Sequence, residues 1–200
     1  WALNTGPVYN IKSWGLEINP SVTYLQLNKA HKFQNESTIA SLAAKWKMDK
    51  QWSFSARANK EFRNNLRPRT TNIDVAAFKF GVGFKATAKD AFVFNIAPKM
   101  ERNENSLKSK DAWAADIGYA RKLPWGVIGG VGYKYSEAEF INGNSPRRDD
   151  EQHDYSLTFG KKLDYGMFVN VGAGYKGKKS NIANKGNHDK SVFIQTGWGF

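Results

Sequence analysis

The sequence predicts an all-β protein whose strands form one antiparallel, up-and-down sheet closed into a transmembrane barrel. Two observations lead to this fold class. Large apolar side chains recur at every second position, and short turns alternate with long loops between these runs. The 200 residues contain no linker and no break in composition, so a single barrel domain is expected.

The clearest hairpin lies between residues 40 and 58. Residues 40–48 place apolar side chains at alternate positions, with Lys45 and Lys47 between them. A turn at 49–50 follows, and residues 52–58 resume the alternation. Because successive side chains of a strand point to opposite faces, this hairpin is predicted to have one apolar and one polar face.

The same pattern recurs downstream and predicts about ten strands, with twelve possible. The predicted strands span residues 15–28, 36–48, 51–63, 70–87, 91–102, 111–123, 126–139, 152–163, 166–177 and 190–200. Together they make residues 15–200 the barrel. Residues 1–14 are irregular and are expected as an N-terminal periplasmic tail or plug, with an extra strand as the third alternative.

The connections between the predicted strands alternate in length. The short ones are 49–50, 88–90, 124–125 and 164–165, and the long ones are 29–35, 64–69, 103–110, 140–151 and 178–189. Tight periplasmic turns and longer external loops are typical of outer-membrane barrels. An even strand count would also place both chain ends on the periplasmic side.

The average composition first suggests a soluble protein. The mean hydropathy is −0.61, and no run of about 20 apolar residues exists that could form a transmembrane helix. A transmembrane strand needs only about 9 to 11 residues with one apolar face, so a barrel remains compatible with this average. A soluble β-sandwich or lipocalin-type barrel would instead turn the apolar rows inward. The loop rhythm and the terminal Phe200 favour the membrane barrel.

Aromatic residues collect near both ends of the predicted strands. A bilayer-spanning barrel carries such girdles at its two interfaces. The girdle predicted at the short-turn end comprises Trp14, Trp46, Trp52, Trp125, Tyr165, Trp198 and Phe200. The aromatic residues nearer the other end are Tyr24, Trp113, Tyr135, Tyr155 and Tyr175.

The last predicted strand alternates through residues 192–198 and ends in Phe200. In this feature the chain resembles bacterial outer-membrane proteins, whose C-terminal aromatic strand is read by the barrel-assembly machinery. The basic interior and the hairpin at residues 45–52 are also similar to the oligogalacturonate-specific porins, which are monomeric channels for acidic sugars. That similarity implies a monomer, although those porins have twelve strands that begin almost at the N-terminus.

The polar face predicted to line the lumen is rich in basic residues. Its basic members are Lys45, Lys47, Arg57, Lys79, Lys85, Lys99, Lys122, Lys134, Lys162 and Lys176. Acidic residues on the same face are fewer, chiefly Glu17, Glu61, Glu101, Asp116 and Asp154. A positive lumen in a low-dielectric wall favours anions. The alternative is that Lys–Asp/Glu pairs fill the interior and hold it shut.

Evidence for an enzyme is weak in this sequence. The densest polar cluster, 149–156, contains His153 and Ser156, but alternation sends these two side chains to opposite faces. No catalytic residue is therefore predicted. The absence of cysteine and the scattered positions of the three histidines predict neither a metal site nor a cofactor.

Together these features predict an outer-membrane channel that passes small anionic solutes through a lysine-rich lumen. Alternatives are a non-conducting barrel for adhesion, envelope structure or partner binding, and an outer-membrane hydrolase. The expected partners are membrane lipid, lipopolysaccharide, small anionic solutes and, during insertion, the barrel-assembly machinery. The net charge of +12 is assigned to the lumen and to basic loops that contact lipopolysaccharide rather than to nucleic-acid binding.

Overall fold

The computed structural model describes residues 2–29, 32–65, 71–104, 108–141, 147–163 and 167–198. These ranges form one antiparallel sheet of twelve strand segments. The segments are β1 (Ala2–Thr5), β2 (Tyr9–Ile11), β3 (Leu16–Lys29), β4 (Lys32–Lys47), β5 (Trp52–Asn65), β6 (Ile73–Lys85), β7 (Asp90–Asn103), β8 (Lys110–Lys122), β9 (Val127–Phe140), β10 (Asp149–Lys162), β11 (Met167–Ser180) and β12 (Asn187–Trp198).

Each strand from β3 to β11 pairs with the next strand along the chain, and β12 lies at the edge of the sheet. β1 and β2 both pair with β3, and residues 6–8 separate them. The twelve segments therefore occupy eleven positions in the sheet, because β1 and β2 share one. The prediction of an all-β, antiparallel, up-and-down fold is confirmed.

The ten predicted strands correspond to β3–β12, and no strand end differs from its predicted position by more than four residues. Residues 2–5 and 9–11 form an extra strand paired with β3, which is the third alternative, rather than a tail or plug. Gly6 and Pro7 interrupt their alternation, so the sequence pattern does not reveal this strand. The long loop predicted at 29–35 is also shorter, since β3 and β4 continue to pair past a register shift at Leu27/Asn28.

The two faces of the sheet differ in composition and exposure. The outer face carries rows of large apolar side chains such as Phe80, Phe94 and Ile117, which are exposed by 51%, 48% and 54%. The inner face carries Asn95, which is 8% exposed. Within the described ranges Val75 is the only buried hydrophobic residue. The apolar rows therefore do not pack into a water-excluded core, which contradicts the soluble alternative.

The two ends of the sheet also differ. One end, the turn end, has short connections such as 48–51 and 86–89, and the other, the loop end, has longer ones such as 141–148 and 181–186. A three-residue 3-10 turn, Pro124–Gly126, joins β8 to β9 at the turn end. No helix in the described part of the chain is long and apolar enough to cross a membrane.

Side-chain caps hold the short connections at the turn end. The Asp49 carboxylate accepts hydrogen bonds from the backbone N–H groups of Gln51 and Trp52, at 2.7 and 2.6 Å. In the β6–β7 turn the Thr87 hydroxyl accepts bonds from the N–H groups of Lys89 and Asp90, both at 3.0 Å. Such caps satisfy donors that the ladder leaves free, and so fix the register of each hairpin.

Candidate functional site

All ten basic residues predicted for the lumen lie on the inner face. The cross-strand register shows this directly, because each one pairs with another inner-face position. Lys45 lies opposite Glu17, and Arg57 lies opposite Lys79. Lys134 has Asp116 and Asp154 as its cross-strand neighbours. The ten residues therefore share one face of the sheet, and their role in a lumen stays a prediction.

Three members of this set, Lys45, Arg57 and Lys79, form a basic cluster. These residues line one cavity of about 370 Å³ together with Glu17 and Asn95. Arg57 and Lys79 are direct cross-strand partners. Like charges in such positions destabilise a sheet, typically by a few tenths of a kcal/mol to about 1 kcal/mol.

Several glycines of the inner face lie directly beneath neighbouring polar side chains. A Cβ atom built on Gly81 would lie 2.5 Å from Asn95 Oδ1 and 2.6 Å from Ser55 Oγ. Asn95 in turn donates a hydrogen bond of 2.6 Å from Nδ2 to Asp116 Oδ1. Gly83 and Gly132 are covered in the same way by serine hydroxyls. The glycines therefore let polar side chains lie flat along the wall.

Ion pairs on the inner face are concentrated towards the loop end. Glu101 pairs with Lys99 at 3.0 Å and with Lys110 at 3.7 Å. Asp150, 7% exposed, pairs with Arg148 at 2.7 Å and with Lys178 at 2.8 Å. Of the ten predicted basic residues, Lys99 alone forms an ion pair within the described ranges.

Trp46 and Trp52, two of the residues predicted for the turn-end girdle, lie on the outer face. Trp46 stacks on Phe54 with ring centroids 5.5 Å apart, and Trp52 packs on Phe84 at 4.4 Å. Trp14 and Trp125 are exposed by 68% and 86%, as interfacial side chains would be. Only the backbone of Trp198 is described, and it pairs with Met167. Tyr165 and Phe200 lie outside the described residues.

A second aromatic band lies on the outer face nearer the loop end. Trp113 packs on Tyr135 at 5.3 Å, and Tyr155 packs on both Tyr133 and Tyr175, at 5.1 and 6.2 Å. Trp113 also donates a hydrogen bond of 3.1 Å from Nε1 to a Glu137 carboxylate oxygen. Apolar rings with satisfied polar atoms suit a membrane interface.

Sequence reasoning did not assign His153 and His188 to this band. The Tyr133 hydroxyl lies 2.9 Å from His153 Nδ1, and the Tyr175 hydroxyl lies 2.9 Å from His188 Nδ1. His153 also packs against Tyr135, with ring centroids 5.2 Å apart. The alternation of residues along β10 already places His153 on the outer face, which is the sequence feature that points to this band. Its role as a packed band member needs the cross-strand register.

The structure brings together no hydrolytic pair at the 149–156 cluster. His153 faces outward within the aromatic band, whereas the Ser156 hydroxyl lies on the inner face, 3.5 Å from the Gly132 carbonyl oxygen. In the described part of the chain no group of three or more His, Asp or Glu side chains could hold a metal ion. The prediction that the protein is not an enzyme stays a prediction.

Comparisons with known proteins agree on the fold. No family model and no curated protein sequence matches the chain. Among solved structures, a loop L8 deletion mutant of OmpT, an outer membrane protein of Vibrio cholerae, matches 96% of this chain at 12% identity, with a TM-score of 0.69. Acinetobacter baumannii OccAB2 matches 98% at 11% identity and 0.61. BauA, the ferric preacinetobactin receptor of the same species, matches 98% at 9% identity and 0.53.

These likenesses show an outer-membrane β-barrel fold, and the predicted outer-membrane localisation agrees with it. The chain spans less than two thirds of each neighbour, covering 62% of the OmpT structure, 54% of OccAB2 and 42% of BauA. None of the three is an oligogalacturonate-specific porin, so that closer similarity stays a prediction. The architecture on which the inner basic face is built is therefore that of bacterial outer-membrane β-barrels.

Proposed function

We propose that the sheet forms the wall of an outer-membrane channel for small anionic solutes. The observation that carries this proposal is the basic cluster of Lys45, Arg57 and Lys79. Its three cations line one inner-face cavity, and none of them forms an ion pair within the described ranges. An arrangement of this kind is costly for folding and useful for attracting anions.

The physical basis of selectivity is the field of these charges in a low-dielectric wall. Lipid lies behind the wall and solvent in front of it, so field lines from the basic residues extend into the lumen. An ion about 4 Å from one charge gains roughly 1 kcal/mol even at the dielectric constant of water. Several cations along the same face would therefore raise the local concentration of anions.

The alternative of an interior held shut by ion pairs is less well supported. The inner-face pairs, such as Lys99–Glu101 and Arg148–Asp150, lie towards the loop end. Arg57 and Lys79 have each other as direct neighbours, and repulsion between them disfavours a close mutual packing. This distribution favours a wall that ion pairs stabilise near the loop end and a lumen that is open to solutes nearer the turn end.

Among anionic solutes, we propose acidic oligosaccharides as the first class to test. The hairpin at residues 45–52 resembles that of the oligogalacturonate-specific porins, and it carries Lys45 and Lys47 on the inner face. Sugar carboxylates would be held by charge-assisted hydrogen bonds from lysine and arginine. Chloride and a galacturonate oligomer therefore make a suitable pair of probes.

Conductance of the purified protein in planar bilayers under a salt gradient tests this function. Arg57→Gln combined with Lys79→Gln is expected to lower the anion-to-cation permeability ratio roughly two- to fivefold, since about 1 kcal/mol of attraction is lost. The control is Lys50→Gln combined with Lys161→Gln. It removes the same charge from a turn and from the outer face.

Three outcomes would contradict the proposal. An absence of conductance steps would leave a non-conducting barrel for adhesion or envelope structure. A reversal potential that shows cation preference would remove the anion selectivity. An equal shift in the test and control variants would mean that net charge, rather than the basic cluster, sets the permeability ratio.

A further inference from the structure

The two edges of the sheet run in the same direction. β1 and β2 are antiparallel to β3, and every later strand is antiparallel to the one before it. Direction therefore alternates over eleven positions, and an odd number of positions gives the first and last strands the same direction. β1, β2 and β12 all run from the loop end towards the turn end.

Neither edge has a partner on its free side within the described ranges. Outer-face residues of both edges are strongly exposed, with Leu3 at 61%, Val192 at 83% and Ile194 at 74%. A backbone donor or acceptor left unpaired in the hydrocarbon layer costs several kcal/mol, which is why membrane-spanning sheets have no free edge. Both edges must therefore be covered in the membrane.

The edge strands also lack the features that protect free edges in soluble proteins. Residues 191–197 of β12 contain no charge and no proline. They alternate Val192 and Ile194 on the outer face with Phe193 and Gln195 on the inner face. Charged residues, prolines and bulges usually protect an exposed edge. β12 instead has the two-faced pattern of a strand inside a barrel wall.

Strand direction separates the candidates for covering these edges. Direct pairing of β1 with β12 would give a parallel seam, and so would a ring made from two copies of the sheet. The undescribed internal segments are at most five residues long, as at 66–70, whereas a transmembrane strand needs about 9 to 11 residues. An antiparallel closure needs an odd number of additional strands.

We propose that the wall is completed by an odd number of antiparallel strands from polypeptide outside residues 1–200. One such strand would give an even total of twelve positions, and three would give fourteen. Each of the three structural neighbours named above has more chain than this sheet, which matches 42% to 62% of their lengths. The added strands would carry apolar side chains outward, as β12 does, and the proposal does not depend on what passes through the lumen.

Disulfide mapping of the complete membrane-inserted protein tests the closure, and these 200 residues contain no cysteine that would interfere. Cysteine pairs would join Leu3 or Thr5 on β1 to Val192, Ile194 or Thr196 on β12. The control pair is Val171→Cys with Ile194→Cys, which are neighbours on β11 and β12. The control is expected to cross-link and every β1–β12 pair to stay reduced. A disulfide between β1 and β12 would overturn the proposal.

A photo-cross-linking residue at Val192, Ile194 and Thr196 in turn identifies what lies beside β12. The expected adducts belong to the same polypeptide outside residues 1–200. They move backward along that segment as the probe moves forward, which is the signature of antiparallel pairing. Adducts to residues 2–11, or to a second, isotopically labelled copy, would overturn the proposal. Rapid hydrogen exchange of the β12 backbone amides that point away from β11 would also overturn the proposal.

Discussion

At the scale of single residues, the inner face depends on glycines that accommodate their neighbours. Gly81 lies under Asn95 and Ser55, and a side chain there would displace both. Asn95 is held in place by its hydrogen bond to Asp116. The geometry of the cavity wall beside Arg57 and Lys79 therefore depends on a position that has no side chain.

Replacement of Gly81 by alanine is expected to lower the free energy of unfolding. The new methyl group would displace Asn95 from Asp116, and losing such a hydrogen bond typically costs about 0.5 to 1.5 kcal/mol. Urea unfolding followed by tryptophan fluorescence in detergent micelles measures the change. Gly177→Ala is the matched control, because a Cβ atom there would meet its nearest neighbour at an ordinary 3.4 Å.

Both substitutions reduce the entropy of the unfolded chain by a similar amount, so that contribution cancels in the comparison. The expected result is a lower urea midpoint for Gly81→Ala than for Gly177→Ala. Equal midpoints would contradict the proposed packing of Asn95 over Gly81.

The sequence predicts which residues share a face, but not which residues meet across strands. Alternation alone places Arg57 and Lys79 among the inner-face residues. Their direct opposition follows from the pairing of β5 with β6, which a single strand's pattern does not contain. The same is true of His153, whose contacts with Tyr133 and Tyr135 depend on the β9–β10 register.

At the scale of elements, the strands are recognisable where their two faces differ. The middle of each strand alternates clearly, and all ten long strands were found from that signal. The loop-end extensions were missed where both faces are polar, as at residues 149–151 of β10 and 187–189 of β12. These extensions are held by the backbone ladder and by polar contacts such as the Asp150–Lys178 ion pair, neither of which leaves an alternation of apolar and polar side chains.

The cap of the β4–β5 turn provides a prediction at this scale. Asp49→Ala removes the acceptor of two backbone hydrogen bonds and is expected to destabilise the protein by about 0.5 to 1.5 kcal/mol. Asp49→Asn keeps an oxygen acceptor and should recover most of this loss. The urea midpoint of each variant measures the effect. An alanine variant as stable as the asparagine variant would show that the cap is unimportant.

At the scale of the whole molecule, the direction of the apolar rows decides the fold and the environment. The same alternation fits a soluble barrel, so the rhythm of turns and loops was needed to favour the membrane. The exposed rows and the two aromatic bands of the structure agree with that choice. The eleventh position, formed by β1 and β2, was hidden because the strand is short and interrupted.

The most direct test of side-chain direction compares two adjacent alanines in the middle of β4. Ala43 lies opposite Arg57 on the inner face, whereas Ala44 lies on the outer face beside Trp46 and Phe54. Each would be replaced singly by cysteine in protein reconstituted into liposomes. A charged, water-soluble thiol reagent and a lipid-soluble one would then label both variants.

The expected result is rapid labelling of Ala43→Cys by the water-soluble reagent, and labelling of Ala44→Cys by the lipid-soluble reagent alone. This pattern would place lipid behind the apolar rows and water in front of the basic residues. Water-soluble labelling of Ala44→Cys with protection of Ala43→Cys would reverse the two faces and contradict the membrane channel.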